Sequence, residues 1–155
     1  MNKPFQRKGA KSNAHVGRDF EARVQRYFEE QGMPLSSAVS VEIGITGRKL
    51  HNFDLGDKEQ KILVECKSHT WTETGNMPSA KMKDWNEAMY LFHATPGRYR
   101  KLFVVLRDFS KKRQETLAQY YIRTNGHLIP EDVEIWEFDE TTNSATCLKN
   151  GANEQ

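Results

Sequence analysis

The spacing of apolar positions along this chain changes several times, and each change marks an element. From Val16 to Gln31 the apolar residues Val16, Phe20, Val24, Tyr27 and Phe28 recur at helical intervals. At ~100° per residue they occupy one arc of roughly 120°, the stripe of an amphipathic helix. Glu21 lies about 20° beyond Phe28 on the same wheel, at the edge of the stripe. Gly32 and Pro34 end the helix. Val39 to Ile45 then alternates apolar and polar, as a half-buried strand does. Thr46-Gly47-Arg48-Lys49 is a turn, Leu50 to Leu55 a second short strand, Gly56 to Gln60 another turn, and Lys61 to Lys67 a third strand. Three consecutive strands with short connections predict an antiparallel meander.

A polar loop, His69 to Pro78, contains Trp71 and leads to a helix from Ala80 to about His93 with Ser79 as its cap. Met82, Trp85, Met89 and Phe92 form its apolar face. Thr95-Pro96-Gly97 breaks the chain. Lys101 to Arg107 carries the run Leu-Phe-Val-Val-Leu, which fits a strand buried on both faces. Ser110 is placed to cap a third helix reaching about Thr124, with Leu117, Ala118, Tyr121 and Ile122 inward. Gly126 and Pro130 end it, and Val133 to Phe138 reads as the last strand. The two late strands are separated by a helix, so a crossover can set them parallel. The expected fold is α/β: a single domain over residues 16–140 on a mixed central sheet, between an N-terminal arm (1–15) and a polar tail (141–155).

Composition narrows the class. The 155 residues suffice for one domain with a real core. No segment approaches the roughly 20 apolar residues of a membrane span, and the polar N-terminus lacks the apolar stretch of a secretory signal. Cys66 and Cys147 are too few for a disulfide framework or a zinc knuckle, so a reduced, cytoplasmic protein is expected. The net charge of +2 is small, but Lys3, Arg7, Lys8, Lys11 and Arg18 precede the first acid, Asp19. Such an arm can neutralise phosphates; an ordinary solvated terminus has the same composition.

The candidate chemistry lies in Asn52-Phe53-Asp54 and, ten residues on, Glu65-Cys66-Lys67. In a strand, Glu65 and Lys67 project from the same side roughly 6.5–7 Å apart. Ionised groups at the end of an Ile-Leu-Val run are costly unless paired or ligand-bound. Two acids and an ammonium can hold a divalent metal and activate water against a phosphate; a cross-strand ion pair accounts for the same triplet. A second match, Glu59-Gln60-Lys61, falls in a polar turn and is set aside. His15, His51, His93 and His127 lack the spacing of a zinc pair.

This element order, with an acid on strand two and Glu-x-Lys on strand three, resembles the PD-(D/E)xK nuclease superfamily over Val16 to Leu106. The resemblance implies a restriction-endonuclease-like core of helix, three-stranded meander, helix and strand, with the last helix and strand added. It implies a Mg²⁺-dependent DNA endonuclease in which Mn²⁺ can substitute. Asp54, Glu65 and the backbone carbonyl of Cys66 would be the ligands. Glu21 would complete the acidic cluster through a water or a second metal, and Lys67 would position the attacking water or stabilise developing charge. Gly17-Arg18-Asp19-Phe20-Glu21 and Ile62 to Ser68 look like the opening and third strand of archaeal-type Holliday-junction resolvases. The chain departs from the pattern at Phe53, where the family has proline before the aspartate. Thr46 is the nearest counterpart of the resolvases' loop hydroxyl.

Lys8, Lys11, Arg18, Arg48, Lys49 and Ser68 are the candidate phosphate-binding residues, with Arg98 to Lys101 and Lys111 to Arg113 beyond them. The expected partner is duplex or branched DNA. Cutting both strands with one kind of site points to a homodimer. The alternative is a non-catalytic nucleic-acid-binding or assembly protein on the same fold.

Overall fold

A computed structural model describes residues 13–152, with side chains from residue 15 onward. Lys8 and Lys11 lie outside the described residues. Helix α1 (Asn13–Glu30) is followed by β1 (Ser36–Ile43), β2 (Lys49–Asp57), β3 (Ile62–Lys67), α2 (Ser79–His93) and β4 (Arg100–Leu106). A small hairpin of β5 (Phe109–Ser110) and β6 (Glu115–Thr116) leads into α3 (Leu117–Asn125), one 3-10 turn (Gly126–Leu128), β7 (Val133–Asp139) and β8 (Ser144–Lys149). Six strands form one mixed sheet in the order β1-β2-β3-β4-β7-β8. β1, β2 and β3 are antiparallel neighbours, β3-β4 and β4-β7 are parallel, and β8 returns antiparallel to β7.

The sheet is covered on both faces. Phe20, Val24 and Phe28 of α1 pack on Leu55, Val64, Cys66, Leu102, Val104 and Phe138. On the other face, Trp85, Met89 and Phe92 of α2 and Leu117, Ala118 and Tyr121 of α3 pack on Phe53, Leu63, Phe103, Val105 and Ile135. Both crossovers, β3-α2-β4 and β4-α3-β7, step the same way along the sheet, so crossovers of one hand put both helices on one face. β3 and β4 are buried on both sides, which is why they read as unbroken apolar runs. Among the described residues no helix is long and apolar enough to cross a membrane.

Four boundaries differ from the sequence reading. Ser110 does not cap α3; it pairs with Glu115 in the hairpin. The cap is Thr116, whose side chain accepts from the Gln119 amide while the Gln119 side chain accepts from the Thr116 amide. α2 begins at Ser79 itself, after Pro78, with no side-chain cap. Part of the segment read as a polar tail is strand. Ser144–Lys149 pairs with β7, and its Ala145 carbonyl accepts from the Tyr27 hydroxyl of α1 at 3.2 Å. The predicted arm is also shorter, because α1 already starts at Asn13.

Candidate active site

β2 and β3 stay paired only over Asp57↔Ile62, Gly56↔Leu63 and Leu55↔Val64. Gly56 sustains that pairing, since a Cβ there would stand 2.6 Å from the Ile62 carbonyl oxygen. Beyond Leu55 the strands part. Leu55 faces the α1 side of the sheet, whereas Phe53, two residues earlier, faces the α2 side. A regular strand keeps such a pair on one face, so the β1-β2 ribbon turns over at Asp54. Across from it, Ala38 sits between the pairs Ser37↔Leu55 and Val39↔Phe53 with φ of 53°. That left-handed conformation costs a non-glycine residue roughly 1–2 kcal/mol.

The opening is closed by chemistry rather than by ladder bonds. The backbone N–H of Cys66 donates to Asp54 Oδ2 at 2.8 Å. The N–H and C=O of one strand residue point the same way, so the Cys66 carbonyl also faces the opening. Glu65 and Lys67 share the face of Leu63 by strand alternation, and Glu65 is only 6 % exposed. Its Oε1 is buried with no hydrogen-bond partner. The Cys66 side chain points to the α1 cluster, where burial and then the acids Asp54, Glu21 and Glu65 push its thiol well up.

The three acids are close enough to feel one another. Burial, then repulsion from Glu65, lifts the Asp54 carboxyl to about 7, against the lowering effects of the Cys66 N–H and Lys67; Glu21 adds to the rise. Glu21 itself is raised by burial and by Glu65, while interactions with Asp54, Arg18 and Lys67 pull it down. The α1 helix thus delivers Glu21 to the gap between β2 and β3, and Lys67 supplies positive charge to both carboxyls.

Two histidines stand beside this cluster: His51, which the sequence set aside as a zinc ligand, and His69, which with Ser68 follows the motif as a candidate phosphate contact. His51 Nε2 lies 3.6 Å from Glu65 Oε1, and its ring meets Phe53 edge-on at 4.7 Å. His51 and Phe53 share a strand face by alternation, which was the available signal. His69 Nδ1 accepts from the indole N–H of Trp85 at 2.9 Å. Burial, with Lys81 and Lys67 nearby, lowers His69 to about 4, so at neutral pH it carries its proton on Nε2. No sequence spacing announces that pair, which spans the loop and the first turns of α2.

No family model, curated protein or solved structure matches this chain. Its site is therefore read on its own geometry. Among the described residues no three His, Cys, Asp or Glu side chains form a ready-made metal cage. Mg²⁺ does not need one, since it keeps several waters and takes one or two carboxylates. Hard oxygen donors at Asp54, Glu65 and the Cys66 carbonyl, with an unsatisfied buried oxygen on Glu65, fit such an ion.

The remaining candidates are scattered. Arg18 is exposed one turn before Glu21. Arg48 and Lys49 are exposed beyond the tip of the β1-β2 hairpin, in a hollow shared with Tyr90 and Ala94 at the end of α2. Thr46 is exposed in the same turn, and Ser68 is half-buried directly after Lys67. Lys101 is not a surface cation: it is 2 % exposed and its Nζ binds Asp132 and the Thr95 carbonyl. Trp71 is buried, donates its indole N–H to the Asp108 carbonyl at 3.0 Å, and carries the Arg113 guanidinium over its ring. It packs the loop after β3 rather than standing ready to stack on a base.

Proposed function

We propose that this chain is a metal-dependent DNA endonuclease with a restriction-endonuclease-like core, acting as a homodimer on duplex or branched DNA. The observation that carries this reading is the gathering of Glu21, Asp54, Glu65 and Lys67 around one gap in the sheet, with a buried Glu65 oxygen that no protein donor satisfies. Burial, then the neighbouring Glu65, raises the Asp54 carboxyl to about 7; a cation in the gap would offset both effects.

Asp54, Glu65 and the Cys66 carbonyl would hold Mg²⁺ or Mn²⁺. Such an ion supplies Lewis-acid charge on the phosphoryl oxygens and lowers the pKa of a bound water. Asp54 is fixed by the Cys66 N–H, so one of its oxygens is oriented and the other turns to the gap. Lys67 orients the attacking water or neutralises charge building on the phosphate, and need not lose its proton to do so. Glu21 extends the acidic cluster on the α1 side. Neutral His69, whose Nδ1 is taken by Trp85 so that Nε2 carries the proton, and Ser68 would supply donors for a phosphate entering beside Lys67.

The test is a cutting assay on a four-way junction, linear duplex, single strand and RNA, each with and without Mg²⁺ or Mn²⁺. Metal-dependent cleavage of DNA is expected, with Asp54→Ala and Lys67→Ala reducing it at least about a hundredfold while the melting profile stays cooperative. Wild-type rates in both variants would remove these residues from the site. Metal binding that stabilises the fold without any cleavage would instead favour a non-catalytic binding protein.

A further inference from the structure

His51 and Glu65 form a buried contact that is longer than a closed charge-assisted hydrogen bond. His51 Nε2 and Glu65 Oε1 are 3.6 Å apart. Both atoms are buried, and neither has a hydrogen-bond partner. A structural ion pair at this depth would close to a charge-assisted hydrogen bond of about 2.7–2.9 Å. Two donors that share one metal ion stand further apart. At bond lengths of about 2.0–2.2 Å, ligands at a tetrahedral angle are separated by roughly 3.4 Å, and adjacent octahedral ligands by roughly 3.0 Å. The observed 3.6 Å is about 0.2 Å from the tetrahedral spacing and about 0.6 Å from the octahedral one.

The surroundings agree with a cation at that point. The Glu65 side chain is 8 % exposed, so an unsatisfied oxygen there is costly. The His51 side chain is 28 % exposed, which leaves a way in from solvent. The ring is held edge-on against Phe53, so its nitrogen is aimed by packing. Glu65 first, then Asp54 and Glu87, set negative charge toward this imidazole and favour its charged form, against burial.

We propose that His51 is a metal ligand, and that its Nε2 and Glu65 Oε1 together bind one borderline divalent cation of the Mn²⁺ or Zn²⁺ class in preference to Mg²⁺. The proposal rests on the metal-site reading given above and adds a nitrogen donor to it. Imidazole favours first-row transition ions over Mg²⁺, which prefers oxygen and retains its waters. The ion would complete its shell with water, so two protein donors suffice and no cage of three side chains is required.

The test uses the full, tag-free chain after chelator treatment. Mn²⁺ is added at one equivalent, and pulsed electron paramagnetic resonance reads nitrogen-14 coupling to the ion. Calorimetry with MnCl₂, ZnCl₂ and MgCl₂ runs in parallel on wild type, His51→Ala, His51→Gln and Glu65→Gln, each first shown to melt cooperatively. Nitrogen coupling is expected in wild type and absent from both His51 variants, while Glu65→Gln should bind Mn²⁺ more weakly. Mn²⁺ affinity should fall at least about tenfold in the His51 variants, with Mg²⁺ affinity little changed. Mn²⁺ bound without nitrogen coupling, or with undiminished affinity in the His51 variants, overturns the ligand role and leaves a carboxylate-only site standing. Nitrogen coupling that survives in the His51 variants assigns the signal to another histidine and also overturns it. Failure of wild type to bind any of the three ions sinks both this proposal and the nuclease reading.

Discussion

At the scale of single residues, the site is a local concentration of like charge that the fold tolerates. Asp54 binds its proton up to about pH 7 in the folded chain, against an ordinary carboxyl value near 4 when unfolded. Between those values the native state holds more protons than the unfolded state, so stability of the metal-free protein falls as pH rises through the window. Asp54→Asn removes the charge and can still accept the Cys66 N–H through its amide oxygen. In chelator at pH 8 this variant should therefore melt higher than wild type, by about 3–6 °C for ~1–2 kcal/mol. The advantage should vanish below pH 4, where wild-type Asp54 is neutral. A pH series of melting curves checks it; a variant that melts lower at pH 8 would show that the carboxylates do not repel as placed. The acids and the lysine were legible in the chain because charges closing an Ile-Leu-Val run stand out. His51 was not, because its relation to Glu65 depends on the ribbon turning over at Ala38 and Asp54, and neither residue type signals that.

At the scale of elements, the meander, α2 and the buried parallel strands followed from periodicity alone, since burial on one or both faces imposes it. The errors fall where polar residues do structural work. Ser110 and Thr116 are both good caps by type; only Thr116 has a glutamine three residues on to complete a capping box. β8 was hidden by its composition, Ser-Ala-Thr-Cys-Leu-Lys, whose side chains are half-buried at best. It is held by ladder bonds to β7, by Tyr27, and by Lys149 Nζ donating to the Val133 carbonyl at 2.8 Å. Removing residues 141–155 should therefore lower the melting temperature by about 10 °C or more, through loss of a strand and its packing. It should also promote self-association, because β7 becomes an unprotected edge. Thermal melts and gel filtration of the truncated chain decide this; unchanged stability and a sharp elution peak would restore the tail reading.

At the scale of the whole molecule, the proposed catalysis and DNA affinity would be separable. The acidic gap repels phosphate until a cation occupies it, so attraction must come from exposed cations elsewhere. A net charge of +2 provides little long-range pull, which makes individual basic positions count. Arg48 and Lys49 are exposed three and two residues before His51, next to the turn that β2 leaves on its way to the site. Each basic side chain that neutralises a phosphate contributes about 0.9 to the slope of log affinity against log salt on duplex DNA. The double variant Arg48→Ala/Lys49→Ala should thus flatten that slope by about 1.8, measured in chelator so that divalent ions do not compete. Asp54→Asn, which keeps every cation, should bind with the wild-type slope and somewhat more tightly, having lost a charge that faces phosphate. If the double variant keeps the full slope while Asp54→Asn binds more tightly, DNA approaches the gap from the α1 side. Arg18, exposed one turn before Glu21, then becomes the position whose removal must change the slope.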